Sequence, residues 1–164
     1  MAVILDRHRA RILARDGWAG VVGNERSVKL TRRLAANVKA TGQSDVLLLW
    51  GESGTGKSLC GALAAREAGA TEAQIVEVAS GQLTAEVMDR IIEDCAYTSL
   101  YGTRAFIIEE VDAGSKEARG RLLTWLERLP KRVLYRGCPD AHRTDRPRRM
   151  LTEPSVLLLH LCGR

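Results

Sequence analysis

The stretch Asp45-Val-Leu-Leu-Leu-Trp50-Gly51-Glu52-Ser53-Gly54-Thr55-Gly56-Lys57-Ser58-Leu59 decides the fold. Val46 to Trp50 form an unbroken apolar run, the pattern of a strand buried on both faces. The run stops at a glycine-rich turn, which feeds the helix-forming segment Leu59-Cys-Gly-Ala-Leu-Ala-Ala-Arg66. Gly51, Gly56, Lys57 and Ser58 satisfy the spacing G-x-x-x-x-G-K-[ST]. Glycine tolerates positive φ, so successive backbone N–H groups in such a turn can converge on an anion. The helix that follows aims its free amides and positive dipole end at the same point. Lys57 adds a mobile charge for β- and γ-phosphates, and the Ser58 hydroxyl is placed to ligate Mg²⁺. The candidate phosphate-binding set is therefore Gly51, Glu52, Ser53, Gly54, Thr55, Gly56, Lys57, Ser58 and Leu59. A turn that holds no ligand is the alternative, and a complete match on a strand–loop–helix argues against it.

The chain is long enough, at 164 residues, to bury one substantial core, and its apolar and charged contents of 45% and 27% are those of a globular domain. No apolar run approaches the roughly 20 residues that span a bilayer, and no signal-peptide h-region opens the chain. The four cysteines Cys60, Cys95, Cys138 and Cys162 are scattered, which predicts reduced thiols in a cytoplasmic protein rather than disulfides or zinc ligands. The charge distribution is uneven. Residues 1–44 carry nine Arg or Lys against three acids, net +6, and residues 128–149 carry eight against two, again net +6. The remainder must be −7, so two basic flanks enclose an acidic middle. Such flanks suit contact with a polyanion or with an acidic neighbouring subunit, or they merely solvate the surface.

Read in order, residues 6–16 predict a short basic helix, broken at Asp16-Gly-Trp-Ala-Gly20. Asn24 is placed to cap a helix reaching about Ala40, with Val28, Leu30, Leu34, Ala35 and Val38 on one face. A helix follows the glycine-rich turn to about Ala68, and residues 74–79 predict a second strand. The next helix, 84–98, places Val87, Met88, Ile91, Ile92 and Cys95 inward. After a turn at Tyr101-Gly102, Arg104-Ala-Phe-Ile-Ile108 is a third strand. A helix over 116–129 turns Ala118, Leu122, Leu123, Trp125, Leu126 and Leu129 inward and stops at Pro130. Residues 132–135 offer a fourth strand, 137–154 read as irregular, and 156–161 as a fifth strand. The alternation predicts one α/β domain, a parallel sheet of about five strands with helices on both faces. Its parts are a basic N-terminal portion (1–44), a core (45–130) and a basic C-terminal portion (131–164).

A phosphate loop also needs a carboxylate near its metal and a group to orient water. Phe106-Ile107-Ile108-Glu109-Glu110 ends an apolar strand in two acids, which assigns Glu109 to the metal and Glu110 to the water. These acids, Val111-Asp112 after them, and the helix Ala118-Arg-Gly-Arg-Leu122-Leu123-Thr-Trp-Leu126-Glu127-Arg-Leu-Pro130 resemble the AAA+ P-loop ATPases, and within them the DNA polymerase clamp loaders. Val21-Val22-Gly23-Asn24-Glu25 is similar to the same family's N-terminal box, which implies that Val21 and Val22 lie against the adenine. The likeness runs from about Trp18 to Pro130.

The resemblance implies ATP and Mg²⁺ as cofactors and other AAA+ subunits as partners. It also implies work on a sliding clamp or the DNA backbone, with no membrane. Catalysis would rest on Glu110 and Lys57, and the metal on Ser58 and Glu109. Three departures matter. Glu109 replaces the family's aspartate, Tyr135-Arg136-Gly137-Cys138 shows no clear γ-phosphate sensor, and Glu153-Pro154-Ser155 stands where an arginine finger is expected. The family's helical lid has no counterpart in this sequence. A nucleotide-binding assembly subunit that does not hydrolyse is therefore an alternative to an ATPase, and a small P-loop kinase is a third.

Overall fold

A computed structural model of the chain describes residues 15–52, 54–79, 81–96, 102–130, 133–138 and 156–161. Five strands form one sheet: β1 (Asp45–Gly51), β2 (Ile75–Val78), β3 (Arg104–Glu109), β4 (Val133–Cys138) and β5 (Val156–Leu161). Their order is β2-β3-β4-β1-β5, and every pairing is parallel. Val46 to Leu49 and Ala105 to Ile108 are buried without interruption, because layers of helix cover both sides of the sheet. Among the described residues, four helices supply those layers: α1 (Glu25–Thr41), α2 (Lys57–Glu67), α3 (Ala85–Ala96) and α4 (Lys116–Leu126).

Side-chain alternation along the strands divides the core in two. Val46, Phe106 and Ile108 meet Met88, Ile91 and Cys95 of α3 and Ala118, Leu122 and Trp125 of α4. Phe106 and Trp125 cross edge to face there, with centroids 5.7 Å apart; truncating either ring costs about 3–5 kcal/mol. Leu47, Leu49, Ala105 and Leu134 face the other way, toward Ala35 and Val38 of α1 and Cys60, Ala64 and Ala65 of α2. Small residues make this second layer thin. Every residue from Cys60 to Ala65 is buried, so α2 is wedged between the sheet and α1 and fixes the turn that precedes it.

Several details differ from the sequence reading. Ile92 and Leu123 were expected inward but are 37% and 41% exposed. Ile91 and Leu122 take the inward positions, and a neighbour about 100° round the helix is carried to the rim. Asn24 does precede α1, but in the left-handed region (φ 52), with no side-chain cap. Helix α4 ends at Leu126, three residues before the expected stop. Strand β4 continues through Gly137, which pairs with both β1 and β3, and Cys138, which pairs with β3, and this pairing outweighs the glycine's irregular tendency. The helix expected over 6–16 (all but its last two residues), Tyr101 and residues 139–155 lie outside the described residues.

Asp45 opens β1 half-buried, and desolvation raises its pKa above the ordinary 3.8, opposed in part by the hydrogen bond its carboxylate accepts from Val46 N (2.9 Å). The folded state therefore binds the Asp45 proton more tightly than the unfolded state does. Stability from this group is full below pH 3.8 and is lost as pH rises through the raised value. Asp45→Asn keeps the acceptor and removes the charge. It is expected to raise the melting temperature at pH 7 by roughly 1–2 °C, discounted for partial solvation, and to give no gain below pH 3.8. An equal gain at both pH values would contradict this assignment.

Candidate nucleotide site

The parallel order brings the carboxyl ends of β1, β4 and β3 side by side, the edge at which open α/β sheets take ligands. At that edge β1 ends in Gly51, and the chain turns through Gly54 (φ 81) and Gly56 (φ 86) into α2. A Cβ built on either glycine meets nothing within 4 Å, so glycine is needed here for backbone conformation and not for lack of room. Gly56 O accepts the first helical bond of α2, from Cys60 N at 2.9 Å. Thr55 Oγ1 donates to Glu52 O at 2.8 Å and braces the turn from inside. Ser53 lies outside the described residues.

Lys57 folds back over the turn. Its Nζ donates to Gly51 O at 2.7 Å and to Glu52 O at 2.6 Å, so the ammonium sits at the mouth of the loop. Ser58, in the first turn of α2, donates its hydroxyl to Glu109 Oε1. The contact joins residues 51 apart in sequence and reaches past β4, which lies between β1 and β3. Backbone register places Cys138 beside Glu109. Glu110 follows, exposed, in the left-handed region (φ 47), a conformation costing a non-glycine residue about 1–3 kcal/mol. A tight turn holds it there: Ala113 N donates to Glu110 O at 2.8 Å and Gly114 N to Val111 O at 3.2 Å.

Two residues in this arrangement escaped the sequence reading. Ser115 N donates to Leu83 O at 3.1 Å, and a Cβ on Gly114 would come within 2.8 Å of the Leu83 side chain. Leu83 is buried, so the turn carrying Glu110 is clasped against the segment preceding α3. Gly114-Ser115 ahead of a helix was the available signal, since Ser115 also caps α4 by accepting from Ala118 N at 3.1 Å. The N-terminal box splits in two. Val21 packs beside Leu59 and Trp18 on Ala62, Leu63 and Ile107, next to α2, while Val22 is 76% exposed.

The residues fit a nucleotide phosphate with its metal. A glycine turn, an ammonium at its mouth and the amino end of an eleven-residue helix converge on one point. The adjoining Ser58 hydroxyl and Glu109 carboxylate are hard oxygen donors of the kind Mg²⁺ takes. Among the described residues, no group of three or more His, Cys, Asp or Glu could hold a metal by itself. Mg²⁺ at a phosphate loop uses one or two protein oxygens, completed by substrate phosphate and water.

Residues 47–143 match the family described as ATPase family associated with various cellular activities (AAA). The chain belongs to the AAA ATPases. No curated protein matches it by sequence. Among solved structures, a Thermotoga maritima RuvB variant superposes with a TM-score of 0.68 at 20% identity, over 92% of this chain and 49% of that one. A Thermotoga maritima protein related to the DNA polymerase III gamma subunit gives 0.62 at 12% identity, over 82% and 45%. The FIGL-1 AAA domain in complex with ADP gives 0.63 at 19%, over 99% and 63%. At these identities the likeness shows the AAA+ fold, a parallel α/β core. The chain spans just under half the length of the RuvB and gamma-related chains. Among the described residues no helix of this AAA domain is long and apolar enough to cross a membrane.

Proposed function

We propose that this chain binds ATP with Mg²⁺ at residues 51–59 and hydrolyses it slowly, as a clamp-loader-like subunit of an oligomer acting on a protein ring or on DNA. The contact between Ser58 and Glu109 carries the reading, because it joins the phosphate loop to the acid-ending strand within one site. Lys57 would leave Gly51 O and Glu52 O for the β- and γ-phosphate oxygens. Ser58 and Glu109 would hold the metal, whose chemistry is to neutralise charge on those phosphates. Glu110, one residue beyond and held outward by its turn, would orient and polarise the attacking water. Val21 and Val22 would border the base, Val21 from its seat beside α2. The gamma-subunit-related structure supports a clamp-loader-like role, and the ADP complex of FIGL-1 supports an adenine nucleotide.

Neither a sensor nor an arginine finger stands at its expected sequence position, which favours hydrolysis that depends on a neighbouring subunit. The same observation keeps a non-hydrolysing assembly subunit as the second reading. Both require nucleotide binding, and that is the first test. ATP with Mg²⁺ at 100 times its Kd adds about 2.7 kcal/mol to the folded state. The melting temperature should then rise by roughly 5–10 °C. No shift at millimolar ATP would overturn both readings.

A further inference from the structure

We infer that the outer face of α1 is a docking surface for the phosphate backbone of a nucleic acid, read without regard to sequence. This deepens the DNA element of the proposed function and is independent of whether ATP is hydrolysed. Helix α1 carries Arg26, Lys29, Arg32, Arg33 and Lys39 against a single acid, Glu25. Arg26, Lys29 and Arg33 stand at i, i+3 and i+7, within about 60° of one another round the helix. The buried residues Thr31, Ala35 and Val38 lie on the opposite side, so the basic row points straight away from the core. All three cations are exposed, and no ion pair joins any of them to another described residue.

The opposite layer behaves differently. Helix α3 holds Glu86, Asp89, Glu93 and Asp94 against Arg90. Its acids are partly neutralised from within: Arg121 of α4 pairs with Asp89, and Arg104 pairs with Asp94 at 3.5 Å. Among the described residues, two acids of α3 are therefore paired internally, while Arg26, Lys29 and Arg33 of α1 are not. That row spans about 10 Å, and over that length one DNA strand presents about three phosphates. A membrane surface fits less well, because the exposed positions of α1 between and after these cations are Arg32, Ala36, Asn37, Lys39, Ala40 and Thr41, with no large apolar side chain to insert. A polyanion with regularly spaced charges is the occupant the row suits.

The experiment measures binding of the purified chain to a fluorescent 30-base-pair duplex between 50 and 200 mM salt. It compares the wild type, the triple variant Arg26→Gln, Lys29→Gln, Arg33→Gln, and a control of equal charge change on the other layer, Arg90→Gln, Lys116→Gln, Arg128→Gln. All substituted positions are exposed, and circular dichroism checks that each variant folds. The α1 variant should bind at least about tenfold more weakly at 50 mM salt, with a log–log salt slope shallower by roughly 2–3. The control should stay within about twofold of the wild type, as a surface away from the contact should. If the α1 variant binds like the wild type, this surface is wrong while the DNA reading stands. If the wild type itself fails to bind at 50 mM salt, both fall. Binding to anionic vesicles, or salt-sensitive self-association, without duplex binding would overturn the inference in favour of those occupants.

Discussion

Lys57→Ala is expected to remove nearly all of the thermal shift that ATP and Mg²⁺ give the wild type. The Lys57 ammonium is held at the mouth of the loop by two carbonyls, 2.7 and 2.6 Å away, and its stem rises from the first residue of α2. Truncation leaves the glycine turn and helix amides in place but deletes the one cationic side chain of residues 51–59. Charge-assisted contacts to phosphate contribute roughly 1.5–3 kcal/mol each, so losing both β- and γ-contacts weakens binding by at least 100-fold. At fixed millimolar nucleotide the shift should fall to within about 1 °C of zero. The ligand-free melting temperature should hold nearly constant, because Lys57 lies at the loop and outside both halves of the core. An undiminished shift would place the nucleotide elsewhere.

Glu110→Gln is expected to separate binding from chemistry. Glu110 is exposed beyond the strand end, and the phosphate-loop groups Lys57 and Ser58 make contacts with Gly51, Glu52 and Glu109. The amide should therefore bind ATP within about twofold of the wild type. A positioned general base contributes 10²–10⁴ in rate, so turnover should drop by at least 100-fold. Glu109→Gln should do the reverse, weakening Mg²⁺-dependent binding, since its carboxylate is the one in contact with Ser58. Single-turnover hydrolysis and equilibrium binding of the two variants side by side would show reversed roles if Glu110→Gln lost more affinity.

Much of this was legible because burial on both faces leaves an unmistakable record. Val46 to Leu49 and Ala105 to Ile108 carry no polar residue, and both are central strands. The glycine turn was legible for a different reason: phosphate chemistry restricts which residues can stand at each position. What escaped was relational. Ile92 and Leu123 are apolar at plausible helical positions, and nothing local says that Ile91 and Leu122 fill the inward places first. Asn24 and Glu110 both take left-handed backbone, which a non-glycine residue type does not announce. The clasp of Gly114 on Leu83 joins segments about thirty residues apart and has no periodic signature. Strand β4 was half visible, because its last residues owe their extended form to partners in other strands, Gly137 on both sides and Cys138 on the β3 side.

The most direct test of the account is the steady-state rate of ATP hydrolysis by the purified chain at nanomolar concentration. Hydrolysis builds charge on the γ-phosphate that Lys57 and Mg²⁺ neutralise only in part, and an arginine supplied by a neighbour is worth 10³–10⁵ in comparable enzymes. Arg143, Arg146, Arg148 and Arg149 are the unassigned arginines that such a neighbour would offer, and they lie outside the described residues. The account predicts turnover slower than about one ATP per minute for the lone chain, rising at least tenfold when a partner contributing an arginine is added. Several ATP per second from the lone chain, undiminished when all four arginines are changed to alanine, would contradict it.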